Sequence, residues 1–163
     1  MKKNICVVGA GYWGKNHIKT LYELDCLYGI VEPNVQLQQK NQNLYPNSKI
    51  FSNLEQALED FDIDGFIIAT PAHTHYALAK KIILSKKPVL VEKPFTLKLE
   101  DAEELKELAE LNQTNVMVGH VLLFHPAIRK IKEIIDSNKI GKLQYIYSNR
   151  LNLGQIRKEE NVF

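Results

Sequence analysis

The feature that most constrains the fold is a glycine-rich loop near the start of the chain. The apolar run Ile5–Val8 leads directly into residues 9–14, which read G-x-G-x-x-G. In a dinucleotide fingerprint the first glycine allows a sharp turn, the second leaves room for a pyrophosphate, and the third lets the next helix pack closely against the strand. The N-terminus of that helix attracts the anion through its backbone N–H groups and its dipole. The predicted cofactor contacts of this loop are Gly9, Gly11, Tyr12, Trp13 and Gly14.

An acidic residue stands where this fingerprint requires one. The second apolar run, Leu27–Val31, ends at Glu32, and a carboxylate about twenty residues beyond the glycines accepts hydrogen bonds from the adenosine ribose hydroxyls. Isolated glycines at this spacing also occur in ordinary tight turns. The preceding strand, the helix predicted from Tyr12 to about Glu23, and Glu32 together favour a cofactor site. Because the carboxylate of Glu32 repels a 2′-phosphate, we expect NAD as the cofactor, with NADP less favoured.

Strand and helix patterns alternate through the first part of the chain. Continuous apolar runs at 65–69 and 88–91 are typical of strands that are buried on both faces of a parallel sheet, and the run at 116–118 predicts a further strand. Segments with helical spacing separate them, most clearly Leu99–Leu111. The alternation predicts an α/β fold with a doubly wound parallel sheet, the Rossmann NAD(P)-binding fold. In such sheets, ligands bind beyond the carboxyl ends of the strands.

Composition excludes several classes of protein. With 45% hydrophobic and 25% charged residues the chain is globular, and its net charge of +2 comes from lysines mixed with glutamates, so we expect no nucleic-acid partner. No apolar run approaches the ~20 residues of a membrane span, and no signal-peptide core is present. We therefore expect no membrane association and a cytoplasmic location. Cys6 and Cys26 are interpreted as core residues, and no metal site is expected around His73 and His75.

The motif Glu92-Lys93-Pro94 follows a buried strand, at the edge where the nicotinamide half of a dinucleotide would lie. A lysine in a partly desolvated cleft beside a positively charged nicotinamide gives up its proton readily and can then accept one from a substrate hydroxyl. This interpretation predicts Lys93 as the catalytic residue. The alternative is a solvent-exposed lysine in an ordinary strand-to-helix turn.

These motifs, taken in order with Thr70-Pro71 and His75, resemble the glucose–fructose oxidoreductase, inositol dehydrogenase and MocA (Gfo/Idh/MocA) family from residue 3 onward. The resemblance implies an N-terminal Rossmann domain, a larger C-terminal α/β domain, and oxidation of a sugar or cyclitol hydroxyl. It also implies that Lys93 contacts the substrate and assists proton transfer. The cleft residues that it implies are Thr70, Pro71, His75, Glu92 and Lys93.

The resemblance also predicts two domains, residues 1–120 and 121–163. The second would contain a linking helix and the first strand, Leu143 to Ser148, of an incomplete C-terminal substrate and oligomerisation domain. In the family, the aspartate and histidine that complete the catalytic set lie beyond the last residue of this chain. The run from Asn149 to Asn161, which contains Arg150, Arg157 and Glu159, resembles the nucleotide-sugar branch, whose members oxidise the C3 hydroxyl of UDP-N-acetyl sugars.

The sequence therefore predicts an NAD-dependent oxidoreductase that acts on a small-molecule sugar or UDP-sugar and assembles as a homo-oligomer. Two alternatives stay open. The chain can be a non-catalytic, truncated dinucleotide-binding module that associates with itself through its last strand. It can also be a regulatory sensor of the NAD to NADH ratio, although the sequence contains no DNA-binding segment.

Overall fold

The computed structural model describes residues 2–149 and 151, and the chain divides into two compact units. The first unit extends through Gly119, and the second begins at His120. This division lies one residue before the predicted boundary at 120, and the independence of the two domains stays a prediction. Arg150, Arg157 and Glu159, which carry the resemblance to the nucleotide-sugar branch, lie outside the described residues.

The first unit contains a six-stranded parallel sheet. Its strands are β1 (Ile5–Val8), β2 (Leu27–Val31), β3 (Lys49–Phe51), β4 (Gly65–Ile68), β5 (Val89–Val91) and β6 (Val116–Val118). The order across the sheet is β3-β2-β1-β4-β5-β6, with every neighbouring pair parallel. This order is that of the Rossmann fold, so the predicted fold class is confirmed. Because the order reverses between β1 and β4, the crevice for a dinucleotide lies at the carboxyl ends of these two strands.

Five helices connect the strands. They are α1 (Gly14–Glu23), α2 (Val35–Leu44), α3 (Leu54–Leu58), α4 (His75–Leu84) and α5 (Leu99–Leu111). Asparagine side chains begin two of them: Asn34 accepts a hydrogen bond from the N–H of Leu37 at 3.1 Å, and Asn53 accepts one from Gln56 at 2.9 Å. In the described part of the chain, no helix has the length and apolar character needed to cross a membrane.

The apolar core lies on both faces of the sheet. Successive side chains of a strand point to opposite faces. Cys6 and Val8 therefore join the cluster that contains Ile82 of α4, while Val7 packs with Ile18 of α1 on the other face. Helices α1 and α4 thus approach the carboxyl ends of the strands from opposite sides of the sheet. Burial raises the pKa of the Cys6 thiol, as its predicted place in the core requires. Cys26 is only half-buried, so its predicted place in the core is wrong.

The second unit contains helix α6 (Pro126–Asp136), which follows a 3₁₀ turn at Val121–Phe124. The ring of His125 caps α6 by accepting a hydrogen bond from the N–H of Ala127 at 3.2 Å. The predicted strand from Leu143 to Ser148 is not formed. A strand needs a hydrogen-bonded neighbour, and no described residue pairs with this segment, so its alternating pattern alone does not produce one. The self-association that the non-catalytic alternative assigns to this segment stays a prediction.

Candidate cofactor and active site

The parallel strands bring the predicted site residues to one edge of the sheet. The loop after β1 contains Gly9–Gly14, the loop after β2 begins with Glu32, the loop after β4 begins with Ala69, Thr70 and Pro71, and the loop after β5 contains Glu92, Lys93 and Pro94. His75 begins α4 just beyond the β4 loop. The structure therefore places these residues together within the first unit, although their chain positions span more than half of the sequence.

The three glycines of the first loop meet different surroundings. Gly9 has a φ of +95°, and a Cβ added there would lie 2.9 Å from the carbonyl oxygen of Ala69. A Cβ added at Gly14 would lie 2.0 Å from the carbonyl oxygen of Gly9. Gly11 differs, because a Cβ there would meet no atom within 4 Å. Gly9 and Gly14 are thus required for packing within the protein, while Gly11 faces the open space that a pyrophosphate would need.

The end of the glycine loop, just before α1, offers donors to that space. Within the described residues, the backbone N–H groups of Gly11, Tyr12 and Trp13 donate to no protein acceptor, whereas the N–H of Lys15 already donates to the Gly11 carbonyl at 3.2 Å. The first turn of α1 contains no acidic residue and no side-chain cap. Unpaired N–H groups at the positive end of a helix dipole form an anion site. The loop therefore fits the pyrophosphate of a dinucleotide.

The carboxylate of Glu32 is 6% exposed and is held by two backbone groups. Its Oε2 accepts a hydrogen bond from the N–H of Ala10 at 2.9 Å, and its Oε1 accepts one from the N–H of Asn34 at 3.0 Å. A carboxylate has about four acceptor positions, so Glu32 keeps capacity for hydroxyl donors. Its position fixes a negative charge beside the glycine loop, where it would meet the ribose of a bound dinucleotide.

Glu92 is buried among donors from two other elements. Its Oε1 accepts hydrogen bonds from Nε1 of Trp13 at 2.5 Å and from Nε2 of His17 at 2.8 Å. Its Oε2 accepts a longer one, 3.2 Å, from the backbone N–H of Lys93. A Cβ at Gly119 would lie 3.1 Å from this carboxylate, so a side chain after β6 would require a small shift of Glu92. Glu92 therefore joins the glycine loop to the loop that carries the predicted catalytic lysine.

The side chain of Lys93 is exposed at the end of β5. In the part of the chain that the structure describes, its amine forms no ion pair and no hydrogen bond, and Glu92 contacts only its backbone. The peptide bond between Lys93 and Pro94 is cis. The amine is thus available to meet a substrate, in a loop whose neighbouring residues are held by the protein.

His75 is 1% exposed and lies behind the surface of the cleft. Its Nδ1 is 2.8 Å from the carbonyl oxygen of Pro94, and its Nε2 is 2.9 Å from that of Thr70. The Thr74 hydroxyl donates to the Pro71 carbonyl at 2.7 Å, so the hydroxyl of Thr70, 2.6 Å from that of Thr74, must be the donor between them. The predicted contact of His75 with the cofactor stays a prediction. The structure shows instead a ring that links the loops after β4 and β5.

His17 is a residue of this site that the sequence motifs did not predict. It lies four residues after Trp13, and side chains at this spacing on a helix share one face. That spacing was the available signal, but nothing in the local pattern points to Glu92, which is 75 residues away in the chain. Among residues 2–149 and 151, no group of three or more histidine, cysteine, aspartate or glutamate side chains is placed to hold a metal ion.

Comparison with known proteins gives the family. Residues 3–120 match the Gfo/Idh/MocA family model, described as an oxidoreductase family with an NAD-binding Rossmann fold. An uncharacterized oxidoreductase of Synechocystis is 31% identical over 144 residues, which cover 87% of this chain and 39% of that protein. UDP-N-acetylglucosamine 3-dehydrogenase of Acidithiobacillus ferrooxidans is 27% identical over 145 residues, covering 89% of this chain and 44% of that enzyme.

Solved structures share the fold. The WlbA dehydrogenase of Bordetella pertussis, crystallised with NADH and UDP-GlcNAcA, is similar with a TM-score of 0.80 and 23% identity, over 86% of this chain and 44% of that one. The chain thus spans 39% and 44% of the length of the two curated relatives named above. The match over residues 3–120, together with the strand order and the glycine loop, shows that this chain belongs to the Gfo/Idh/MocA family of NAD-binding oxidoreductases.

Proposed function

We propose that this chain is an NAD-dependent oxidoreductase that oxidises a sugar hydroxyl, with its cofactor site in residues 3–120. The observation that carries the proposal is the convergence of three chemically different groups at one edge of the sheet. These groups are the unpaired N–H groups before α1, the buried carboxylate of Glu32 and the exposed amine of Lys93. These groups would contact the pyrophosphate of the cofactor, its adenosine ribose and the hydroxyl of the substrate, respectively.

The first two groups would bind the cofactor. The N–H groups around Gly11 would hold the pyrophosphate, and Glu32 would accept hydrogen bonds from the adenosine ribose. Because Glu32 is anionic and fixed by two backbone donors, it disfavours the 2′-phosphate of NADP. NAD, when bound, supplies the hydride acceptor. Thr70 and Pro71 would form the side of the cleft between the glycine loop and the lysine loop.

Lys93 would handle the proton of the substrate. Its amine, in the neutral form, would accept the hydroxyl proton at Nζ while a hydride passes to NAD from the carbon that bears the hydroxyl. The alcohol would thereby become a carbonyl and the amine an ammonium. The absence of a described partner for this amine supports the assignment, since an amine committed to an ion pair is a poorer proton acceptor. Lys93 is thus proposed to act in catalysis and to contribute little to the affinity for the cofactor.

For the substrate we propose the C3 hydroxyl of a UDP-N-acetyl sugar. Support comes from the relative that is named UDP-N-acetylglucosamine 3-dehydrogenase and from the resemblance of the run after Asn149 to the nucleotide-sugar branch. NADH production from NAD and UDP-N-acetylglucosamine tests this substrate class, with inositol as the comparison substrate. Turnover of inositol without turnover of the UDP-sugar would contradict it.

The Glu32→Gln variant tests the cofactor assignment. Wild type is expected to bind NADH more tightly than NADPH. The variant removes the charge but keeps a side chain of the same size. The ratio of the NADPH dissociation constant to the NADH dissociation constant should therefore fall by about tenfold, which corresponds to about 1.4 kcal/mol. Lys93→Ala is the matched control and should bind NADH as wild type does. An unchanged preference in Glu32→Gln would contradict the role of Glu32.

We also retain homo-oligomerisation as a proposal. In the second unit, large apolar side chains of the 3₁₀ turn and α6 are exposed: Leu123, Phe124, Ile128 and Ile131. Burial of such side chains between copies would be favourable. Light scattering of the purified chain tests this, and a mass equal to the 18.7 kDa of one chain at all concentrations would contradict it.

A further inference from the structure

We propose that His17 and His75 are positioning residues for Lys93, and that each of them fixes one of its two neighbours in the chain. The proposal rests on the function proposed above, in which Lys93 receives the substrate proton. Since no described residue holds the amine of Lys93, its location depends on the backbone of Glu92 and Pro94. Each of these two residues is in contact with a histidine that the fold brings from a distant element.

His17 acts on the residue before the lysine. Its Nε2 lies 2.8 Å from Oε1 of Glu92, and because a carboxylate only accepts, Nε2 must carry the hydrogen. The other oxygen of Glu92 accepts the backbone N–H of Lys93 itself. The carboxylate is 6% exposed, so water does not readily replace a lost donor. A contact on α1 is thereby transmitted through Glu92 to the backbone of Lys93.

His75 acts on the residue after the lysine. Its Nδ1 lies 2.8 Å from the carbonyl oxygen of Pro94, and its Nε2 lies 2.9 Å from the carbonyl oxygen of Thr70 at the end of β4. Because both carbonyl oxygens only accept, we assign the ring hydrogen to Nδ1 as part of this proposal, so that the ring donates to Pro94. The ring is 1% exposed, so it is held by packing on all sides. Pro94 is therefore tied to the adjacent strand end through a rigid aromatic ring.

The two contacts come from opposite faces of the sheet. His17 belongs to α1 and His75 to α4, and these helices pack against different sides of the strands. An exposed lysine needs such support, because a catalytic group works only when it is held within about 0.5 Å of its productive position. The arrangement also joins the lysine loop to the helix whose N-terminus is the predicted pyrophosphate site. This link is made by Glu92, which contacts Trp13 and His17, whereas His75 links the loops after β4 and β5.

Replacement of each histidine by glutamine or asparagine distinguishes the positioning role from simple packing. The amide nitrogen of glutamine reaches the place of a histidine Nε2, and that of asparagine reaches the place of Nδ1. His17→Gln should therefore keep the donor to Glu92, whereas His17→Asn should lose it. At His75 the expected preference is reversed: His75→Asn keeps the donor to Pro94, and His75→Gln keeps only the contact with Thr70.

The readout is the NMR spectrum of the full ¹⁵N-labelled chain without cofactor. We expect the backbone amide resonance of Lys93 to keep its position in His17→Gln and His75→Asn and to move in His17→Asn and His75→Gln. The indole N–H of Trp13, the single tryptophan, shares Oε1 of Glu92 with His17. Its resonance should therefore move in His17→Asn and stay in place in both variants of His75.

Equal displacement of the Lys93 resonance by asparagine and glutamine at either site would overturn the positioning role there. Unfolding of both variants at one site, seen as loss of dispersed resonances, would likewise assign that histidine to the fold alone. Because this experiment uses no cofactor, it is independent of the proposed function. The expected NMR pattern in a chain that binds no NADH would refute the function and leave the positioning of Lys93 standing.

Discussion

Replacement of Gly11 by valine should abolish cofactor binding while leaving the fold intact. A Cβ at this position meets no atom within 4 Å, and the backbone is not in the left-handed region, so the free energy of unfolding should change by no more than about 0.5 kcal/mol. The same open space is where the pyrophosphate would lie. The side chain of valine would fill it and separate the phosphates from the N–H groups of Tyr12 and Trp13.

The size of the effect follows from the lost hydrogen bonds. Each hydrogen bond to a charged group contributes about 1.5–3 kcal/mol, so two of them amount to about 3–6 kcal/mol. Since a tenfold change in affinity corresponds to about 1.4 kcal/mol, the dissociation constant of NADH should rise by about 100-fold or more. Energy transfer from Trp13 to bound NADH measures the affinity, and a thermal melt measures the stability.

Gly14→Ala is the contrasting variant. Its Cβ would lie 2.0 Å from the carbonyl oxygen of Gly9, so the loop must move, at about 1–3 kcal/mol or more of stability. Both stability and NADH affinity should fall in this variant, whereas only affinity should fall in Gly11→Val. If Gly11→Val binds NADH as wild type does, the pyrophosphate does not lie in the open space beside Gly11.

Three further outcomes are expected from the packing of the first unit. In the folded chain a thiol reagent should modify the half-buried Cys26 and spare Cys6, whose burial raises its pKa; equal rates would place Cys6 at the surface. Gly9→Ala should lower the melting temperature, because its φ of +95° costs about 1–2 kcal/mol in a residue with a Cβ; an unchanged melt would contradict this. Asp60→Asn should destabilise by about 1 kcal/mol at neutral pH, because the Lys49 amine donates to this carboxylate and lowers its pKa. Because that pKa lies below its ordinary value of 3.8, the stabilisation by the Asp60 carboxylate is present above pH 3.8 and fades at lower pH. Urea titrations in which wild type and Asp60→Asn still differ in their free energy of unfolding at acid pH would contradict this.

Much of the fold follows from local patterns. The bounds of β2, α2, α5 and β6 are those that apolar runs and helical spacing predict, because the spacing of apolar residues reflects which faces each element buries. The segment from Leu143 to Ser148 has a strand-like pattern but does not form a strand. Alternation indicates which side chains would share a face of a strand, but it does not supply the neighbour with which the strand must pair.

The identities of the site residues could be predicted from the sequence, but only some of the contacts between them could. The glycine loop and Glu32 have fixed spacings, since a turn and a helix start impose them. The partners of Glu92 were not predictable, because His17 is 75 residues away and approaches only when α1 folds over the sheet. The position of His75 behind the cleft has the same origin, because its contact with Pro94 depends on how α4 packs against β5.

The most direct test of the central claim is a titration of the 163-residue chain with NADH and, separately, with NADPH, followed by energy transfer from Trp13. Trp13 lies in the glycine loop itself, so a cofactor bound there must quench its emission. We expect saturable quenching with both reduced cofactors and tighter binding of NADH. Absence of saturation with millimolar NADH, or tighter binding of NADPH, would contradict it.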